Sequence, residues 1–181
     1  MLISAGLVLL RKISNEWHLL LGHPGGPFYR KKHRHVWSIP KGLVEGDEDY
    51  IRVARRETFE ETGLDVCGPF VPLPPVKYKS GKIVYVWATL GPPPEKLINP
   101  PPSSTFALEF PPGSGRIREF PEIDYIKYVS FTEARELLVK GQLGIIDFLE
   151  SKDGLLVLEA ISTWQAHHNE TSCSPLFKQG L

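Results

Sequence analysis

Two short apolar runs open the chain and predict a β-hairpin. The runs ISAGLVLLRK and EWHLLLGHP begin at Ile3 and Glu16, and the polar stretch RKISNE lies between them. Short apolar runs bounded by polar turn residues are typical of paired strands, of which at least one is buried. A second hairpin is predicted further on, where Val76–Lys79 and Lys82–Leu90 flank a Ser80–Gly81 turn.

Between the two hairpins, the pattern predicts a loop and then a helix. Glycine and proline interrupt the stretch HPGGPFYRKKHRHVWSIPKG, which we expect to be an exposed loop. This loop carries six basic side chains from Arg30 to His35, counting the histidines. The helical pattern that follows begins at about Asp47 and ends at Gly63.

The segment from Gly91 to Pro121 has no convincing period and holds nine of the seventeen prolines. It is long for a loop inside a compact domain, so it is either a functional loop or a flexible insertion. After it, EIDYIKYVSF predicts a strand, and Ser130 followed by Glu133 predicts a capped helix that ends at Gly141. The stretch QLGIIDFLESKDGLLVLEAISTWQAHH continues as one or two helices.

One face of the predicted helix before Gly63 joins apolar residues to carboxylates. At 3.6 residues per turn, six residues fall on a single stripe: Tyr50, Val53, Ala54, Glu57, Glu60 and Glu61. Burying three like charges costs several kcal/mol unless protonation or a cation neutralises them. Oxygen ligands at positions i, i+3 and i+4 suit Mg²⁺ or Mn²⁺, whose remaining ligands are waters and substrate phosphates. The alternative is a solvated acidic helix end in which Arg56 pairs with Glu60.

Composition narrows the class of protein. The 181 residues, 41% hydrophobic and 23% charged, indicate one domain with a substantial core. Lys plus Arg and Asp plus Glu number 21 each, so no overall charge draws the chain to nucleic acid or to an anionic membrane. Cys67 and Cys173 lie far apart in the sequence, and we expect reduced thiols rather than a disulfide. The apolar start lacks a basic leader and is too short to span a bilayer, so we expect a cytoplasmic protein.

The spacing of the acidic helix matches a known signature. The pattern G-x5-E-x7-R-E-U-x-E-E-x-G-U, where U is apolar, is met by Gly42, Glu48, Arg56, Glu57, Glu60, Glu61 and Gly63, with Leu64 in the last apolar position. Seven fixed positions at roughly one in fifteen each give a chance match on the order of 10⁻⁸ per starting point. The chain therefore resembles the Nudix hydrolases. Thr58 departs from the family's usual aliphatic residue without touching the expected ligands.

The resemblance implies an α/β fold, an α/β/α sandwich with a mixed sheet, over residues 1–150. Beyond the resemblance, the sequence pattern predicts a helical extension over 151–168 and a disordered tail over 169–181. The implied activity is hydrolysis of a nucleoside diphosphate linked to another group, with Glu57, Glu60, Glu61 and the backbone carbonyl of Lys41 as metal ligands. Gly42 would permit a tight turn, Arg56 would orient the glutamates, and Glu48 would be a structural partner. Glu57 is the first choice as general base, and Glu122 or Glu119 is the candidate for an additional acidic residue from a late loop.

Substrate choice depends on residues outside the signature. The Pro-Lys-Gly at Pro40–Gly42 is similar to that of Nudix hydrolases of diadenosine polyphosphates, diphosphoinositols and capped RNA. Candidate phosphate-binding residues are Lys31, Lys32, Arg34 and Lys41, and candidate base-stacking residues are Phe28, Trp37 and Tyr78. Each set has an ordinary alternative, a solvated basic loop or core packing.

Three functions therefore stand as hypotheses. The first is a diadenosine polyphosphate hydrolase, the second a pyrophosphohydrolase of modified nucleoside triphosphates, and the third a non-catalytic nucleotide-binding module. The third is disfavoured because no glutamate of the signature is missing. We expect a monomer or a homodimer that binds a nucleotide substrate, with neither nucleic acid nor membrane as partner.

Overall fold

The computed structural model describes residues 2–167, so the predicted tail over 169–181 lies outside the described residues. The strands over these residues are β1 Ile3–Ile13, β2 Glu16–Pro24, β3 Lys41–Leu43, β4 Val71–Lys77, β5 Ile83–Leu90, β6 Thr105–Glu109, β7 Ile117–Pro121 and β8 Ile123–Ser130. The α-helices in the same range are α1 Tyr50–Thr62, α2 Phe131–Leu137, α3 Leu143–Leu149 and α4 Lys152–His167. The C-terminal stretch thus forms two helices, α3 and α4.

The main sheet is mixed and has β1 near its centre. Its order is β4-β5-β1-β2-β8. β2 and β3 pair with the same edge of β1, β2 near the C-terminal end of that strand and β3 near its N-terminal end. The pairing of β1 with β5 is parallel, while β1 with β2 and β2 with β8 are antiparallel. The first predicted hairpin is confirmed, and its turn places Ser14 and Asn15 at φ 49° and 68°, as the tight turns of twisted hairpins require.

Helices cover both faces of this sheet. Because side chains alternate along a strand, Leu7 and Leu9 of β1 face α1, whereas Val8 and Leu10 face the helices α2, α3 and α4. Ile161 of α4 belongs to this second cluster. The expected α/β/α sandwich is therefore confirmed, and a strand buried on both faces explains the continuous apolar run at the start of the sequence.

The second hairpin is also confirmed, but its first strand is longer than predicted. β4 begins at Val71 rather than Val76, with a register shift between Leu73 and Val76. Prolines at positions 72, 74 and 75 concealed this half of the strand. They are tolerated because β4 is the edge strand, where a missing N–H donor leaves no ladder bond unmade.

Local capping sets the helix ends. α1 begins at Tyr50, not near Asp47, because the side chain of Asp49 accepts a hydrogen bond from the N–H of Ile51. It ends at Gly63 as predicted, with φ 72°. The Ser130 cap of α2 is confirmed, yet α2 ends at Leu137, and a separate 3-10 turn over Lys140–Gln142 precedes α3.

The proline-rich segment contains a hairpin that the sequence pattern did not reveal. β6 and β7 pair as a separate two-stranded sheet, called the arm below. Before the arm, the Asn99 side chain donates to the carbonyl of Ile126 and accepts from its N–H, at 2.9 and 2.8 Å. This clamp covers the outer edge of β8, which would otherwise present unpaired backbone groups.

The expectation of reduced thiols is wrong for Cys67, which is disulfide-bonded. Cys173, the other cysteine of that expectation, lies outside the described residues. None of the helices in residues 2–167 combines the length and apolar character needed to cross a membrane.

Candidate active site

The three glutamates of α1 differ in burial. Glu61 is 8% exposed, while the side chains of Glu57 and Glu60 are 14% and 44% exposed. The prediction that all three face inward is therefore wrong for Glu60. The buried face runs through Ala54, Thr58 and Glu61, and Glu60 lies at its margin. The buried hydroxyl of Thr58 is satisfied because it donates a hydrogen bond to the carbonyl of Ala54 at 2.8 Å.

Arg56 lies beside these carboxylates and joins them. Its Nη1 donates to Glu57 Oε1 at 2.8 Å and to Glu60 Oε2 at 3.1 Å. Its Nη2 lies 3.6 Å from Glu48 Oε2, and this carboxylate also accepts from the N–H of Glu45 at 3.1 Å. Arg56 is thus placed to orient two glutamates, and Glu48 contacts the loop before the helix rather than the acidic cluster.

Gly42 is in direct contact with Glu57. A Cβ added at Gly42 would lie 1.8 Å from Glu57 Cδ and 1.9 Å from its Oε2. No side chain fits there without displacing the carboxylate. The glycine of the signature therefore makes room for the glutamate, rather than only permitting a turn as expected.

Glu61 is held by the backbone of β3. The N–H of Lys41 donates to Glu61 Oε2 at 2.9 Å. Burial raises the pKa of Glu61 to about 8, and the nearby carboxylates of Glu122 and Glu57 add to the increase, whereas Lys41 opposes it. Burial likewise raises the pKa of Glu57 above its ordinary value, against the opposing charge of Arg56. The positive charge near both carboxylates is consequently too small to offset the effect of their burial.

Of the two late acidic candidates, Glu122 is the one near this cluster. Its charge acts on both Glu57 and Glu61, while Glu119 lies within β7 opposite Ala107. The carboxylate of Glu122 accepts from the hydroxyl of Ser104 at 2.8 Å. No local sequence pattern connects Ser104 with Glu122, so this contact could not be predicted from the sequence.

Lys82 is a second neighbour that sequence reasoning missed. Burial and the charge of Lys41 lower its pKa, and the charge of Glu61 opposes this. It follows the predicted Ser80–Gly81 turn, but only the pairing of both β3 and β5 with β1 brings it towards Lys41. Two lysines thus flank the buried carboxylate.

The predicted substrate-binding residues are dispersed. Phe28 is 52% exposed, and the ammonium of Lys32 lies 5.5 Å from the ring centre of Tyr29. Arg34 pairs with Glu136 of α2. Tyr78 is half-buried and packs against Gly141 in the α2–α4 layer, and Trp37 is buried in the same cluster.

The donor set at α1 suits a divalent cation in its chemistry, since the carboxylates of buried Glu61 and half-buried Glu57 have too little positive charge nearby to offset their burial. In their present rotamers, however, no three His, Cys, Asp or Glu side chains within residues 2–167 converge as a metal site. Glu57 and Glu60 turn to Arg56, and Glu61 faces the N–H of Lys41. A shared ion would require these side chains to reorient.

Sequence comparison places the chain in a family. Residues 2–150 match the NUDIX domain. The chain therefore belongs to the Nudix family, whose hydrolases use divalent metal ions, and it is a Nudix pyrophosphohydrolase. Among curated proteins, no sequence match was found.

Solved structures share the fold at low sequence identity. The Ap4A hydrolase of C. elegans is 21% identical with a TM-score of 0.50, over 90% of this chain and 98% of that one. The NUDIX domain of NrtR from Shewanella oneidensis, complexed with ADP ribose, is 16% identical with a TM-score of 0.53, over 81% and 84%. The MutT protein of Bacillus halodurans is 15% identical with a TM-score of 0.53, over 83% and 84%.

Proposed function

We propose that this enzyme hydrolyses a phosphoanhydride bond in a nucleoside diphosphate-linked substrate, and that its preferred substrate is a diadenosine polyphosphate. In the proposed reaction, diadenosine tetraphosphate and water give ATP and AMP. The observation that carries the hydrolytic proposal is the cluster of half-buried Glu57 and buried Glu61, two carboxylates with raised pKa values beside Glu122.

Mg²⁺ is the proposed ion, and we expect Mn²⁺ to support activity when Mg²⁺ is absent. Glu57, Glu60, Glu61 and the backbone carbonyl of Lys41 would hold it. When bound, such an ion polarises the bridging phosphates and lowers the pKa of the attacking water.

The chain's own residues have separate proposed roles. Glu57 accepts the proton of the attacking water at its carboxylate, and a raised pKa suits a general base that works near neutral pH. Arg56 orients Glu57 and Glu60, as its two hydrogen bonds support. Glu122 supplies a further carboxylate, whose charge acts on Glu57 and Glu61.

The proposed polyphosphate substrate rests on the Pro40–Gly42 sequence and on basic residues near it. Lys41 and Lys82 flank the carboxylate cluster, and Lys31 and Lys32 of the exposed loop could bind more distant phosphates. Phe28 is exposed and free to stack on a base. The Ap4A hydrolase of C. elegans shares the fold, but likeness at that identity does not choose a substrate.

The alternative is a house-cleaning enzyme that hydrolyses modified nucleoside triphosphates. Two observations weigh against residues that the first proposal assigns to a long substrate: Arg34 is paired with Glu136, and Tyr78 is packed against Gly141. Both residues are therefore less available to a long substrate than the first proposal expects. A non-catalytic module is disfavoured, because the three glutamates that the resemblance assigns as metal ligands, Glu57, Glu60 and Glu61, are all present on α1.

A substrate panel tests the proposal. We expect kcat/KM with Mg²⁺ to be higher for diadenosine tetraphosphate than for ATP or an oxidised guanosine triphosphate, because the longer chain reaches more cations in the transition state. Chromatography of the products should show ATP and AMP. An oxidised triphosphate preferred by tenfold, about 1.4 kcal/mol of barrier, would support the alternative, and two ADP as products would contradict the proposed position of cleavage.

We also propose a cytoplasmic monomer or homodimer. The disulfide at Cys67 weighs against that location, because disulfides are rare in the cytosol. Cell fractionation and gel filtration would test the two points.

A further inference from the structure

Ser104 connects α1 with Glu122 through three hydrogen bonds. Its N–H donates to the carbonyl of Glu60 at 2.7 Å, and its own carbonyl accepts from the N–H of Glu122 at 2.8 Å. Its hydroxyl donates to Glu122 Oε2 at 2.8 Å. One residue of the proline-rich segment therefore lies between the carboxylates of the helix and the carboxylate of the late loop.

The backbone bonds fix the place of Ser104. The carbonyl of Glu60 belongs to the last turn of α1, where no helical N–H is available to it. Ser104 satisfies this group and is thereby anchored to the helix that carries the glutamates. Any amino acid except proline could make this contact, so the backbone bonds do not explain why a hydroxyl is present.

The hydroxyl acts on the carboxylate of Glu122. Glu122 is exposed, and its charge is repelled by Glu57 and Glu61, whose pKa values it raises. Left alone, a flexible exposed carboxylate would turn away from like charges and into water. A hydroxyl on an anchored backbone opposes that movement, because hydrogen bonds to charged groups are stronger than neutral ones.

We propose that Ser104 is a positioning residue that holds the Glu122 carboxylate against the repulsion of Glu57 and Glu61, in the orientation used for hydrolysis. This inference rests on the proposed function. It assigns a role to the proline-rich segment, which brings Ser104 to the end of α1 while Asn99 anchors the segment to β8.

The test compares Ser104→Ala with Ser104→Thr in the full chain. Alanine keeps both backbone bonds and removes the hydroxyl, whereas threonine keeps the hydroxyl. With diadenosine tetraphosphate and Mg²⁺, we expect Ser104→Ala to lower kcat about tenfold. KM should change by less than about twofold, and the melting temperature should stay close to that of the wild type. Ser104→Thr should recover most of the wild-type kcat.

Two further variants separate positioning from structure. Ser114→Ala makes the same chemical change in the turn of the arm, where the hydroxyl accepts from the N–H of Arg116 at 3.3 Å, and it should leave kcat unchanged. In a Glu122→Gln background, Ser104→Ala should have little additional effect, because the group that it positions is already altered. Wild-type kcat in Ser104→Ala, or full additivity with Glu122→Gln, overturns the proposal.

Failure of the proposed function gives a different result. If the wild-type enzyme cleaves no nucleotide of the panel, the proposed function is wrong. Crystal structures of the wild type and Ser104→Ala then decide whether Ser104 positions the Glu122 carboxylate. A Glu122 carboxylate that turns away from α1 in the variant supports positioning by Ser104. An unmoved carboxylate overturns it.

Discussion

Substituting Gly42 by alanine should separate activity from stability at the contact between β3 and α1. The added Cβ would lie 1.8 Å from Glu57 Cδ, whereas ordinary contact begins at 3.4 Å, so the carboxylate must move by at least about 1.6 Å. Such a movement also breaks the 2.8 Å hydrogen bond from Arg56 Nη1 to Glu57 Oε1. A misplacement of 1 Å at a catalytic site can cost about a hundredfold in rate.

The expected cost in stability is much smaller. The clash falls on the end of a flexible side chain, and no positive φ is recorded for Gly42. We therefore expect the free energy of unfolding to change by no more than about 1 kcal/mol, a shift of roughly 2–4 °C for a chain of this size. The value of kcat for diadenosine tetraphosphate with Mg²⁺ should fall by about a hundredfold or more.

Gly144→Ala is the matched control, because a Cβ at Gly144 in α3 meets nothing within 4 Å. It should keep full activity and gain up to about 1 kcal/mol of stability, as alanine favours a helix. Thermal unfolding and steady-state turnover on the same preparations provide the comparison. Activity of Gly42→Ala within threefold of wild type, in a folded protein, would refute the placement of Glu57 as a catalytic group.

Three other predictions concern the carboxylates. EDTA should abolish turnover, and added Mg²⁺ or Mn²⁺ should restore it; full activity in chelator would contradict the proposed metal dependence. Glu60→Gln should lower kcat by at least about a hundredfold while circular dichroism shows the fold unchanged, and near-normal turnover would move the role elsewhere. Burial raises the pKa of Glu61 to about 8, so between roughly pH 4.5 and pH 8 the folded metal-free protein binds more protons than the unfolded chain, and its stability falls as pH rises. Glu61→Gln removes this dependence. In EDTA, the free energy of unfolding measured in urea should therefore be only slightly higher for the variant than for the wild type at pH 5, and higher on the order of a few kcal/mol at pH 8. Equal differences at both pH values would contradict the assignment.

Local sequence signals predicted most of the main sheet and its helices. The β1–β2 and β4–β5 hairpins and the C-terminal end of α1 depend on turn and cap residues such as Asn15, Gly81 and Gly63, whose conformations are decided within a few residues. The arm was missed because none of the residues in its two strands is buried. Without a buried face, β6 and β7 carry no alternation of apolar and polar residues that could identify them.

The site was predicted as a set of residues but not as an arrangement. Spacing along α1 identified the glutamates, since residues three or four positions apart in a helix lie on the same face. Their order of burial depends on which side of α1 meets the sheet, and this is decided by packing partners distant in the sequence. The contacts of Gly42 with Glu57 and of Ser104 with Glu122 are equally non-local. For that reason, no pattern within the helix could predict them.

The C-terminal end of α1 is where this arrangement is least favourable electrostatically. Glu60 and Glu61 lie in the last turn, which holds no basic residue, although the partial negative charge of a helix C-terminus disfavours carboxylates. The same turn is closed by two short backbone bonds, from Gly63 N–H to Phe59 O and from Ser104 N–H to Glu60 O, both at 2.7 Å. These bonds satisfy carbonyls that would otherwise require water, and they resist the fraying that charge repulsion promotes. The proline-rich segment therefore stabilises the end of the helix at the point where the carboxylates of the active site weaken it.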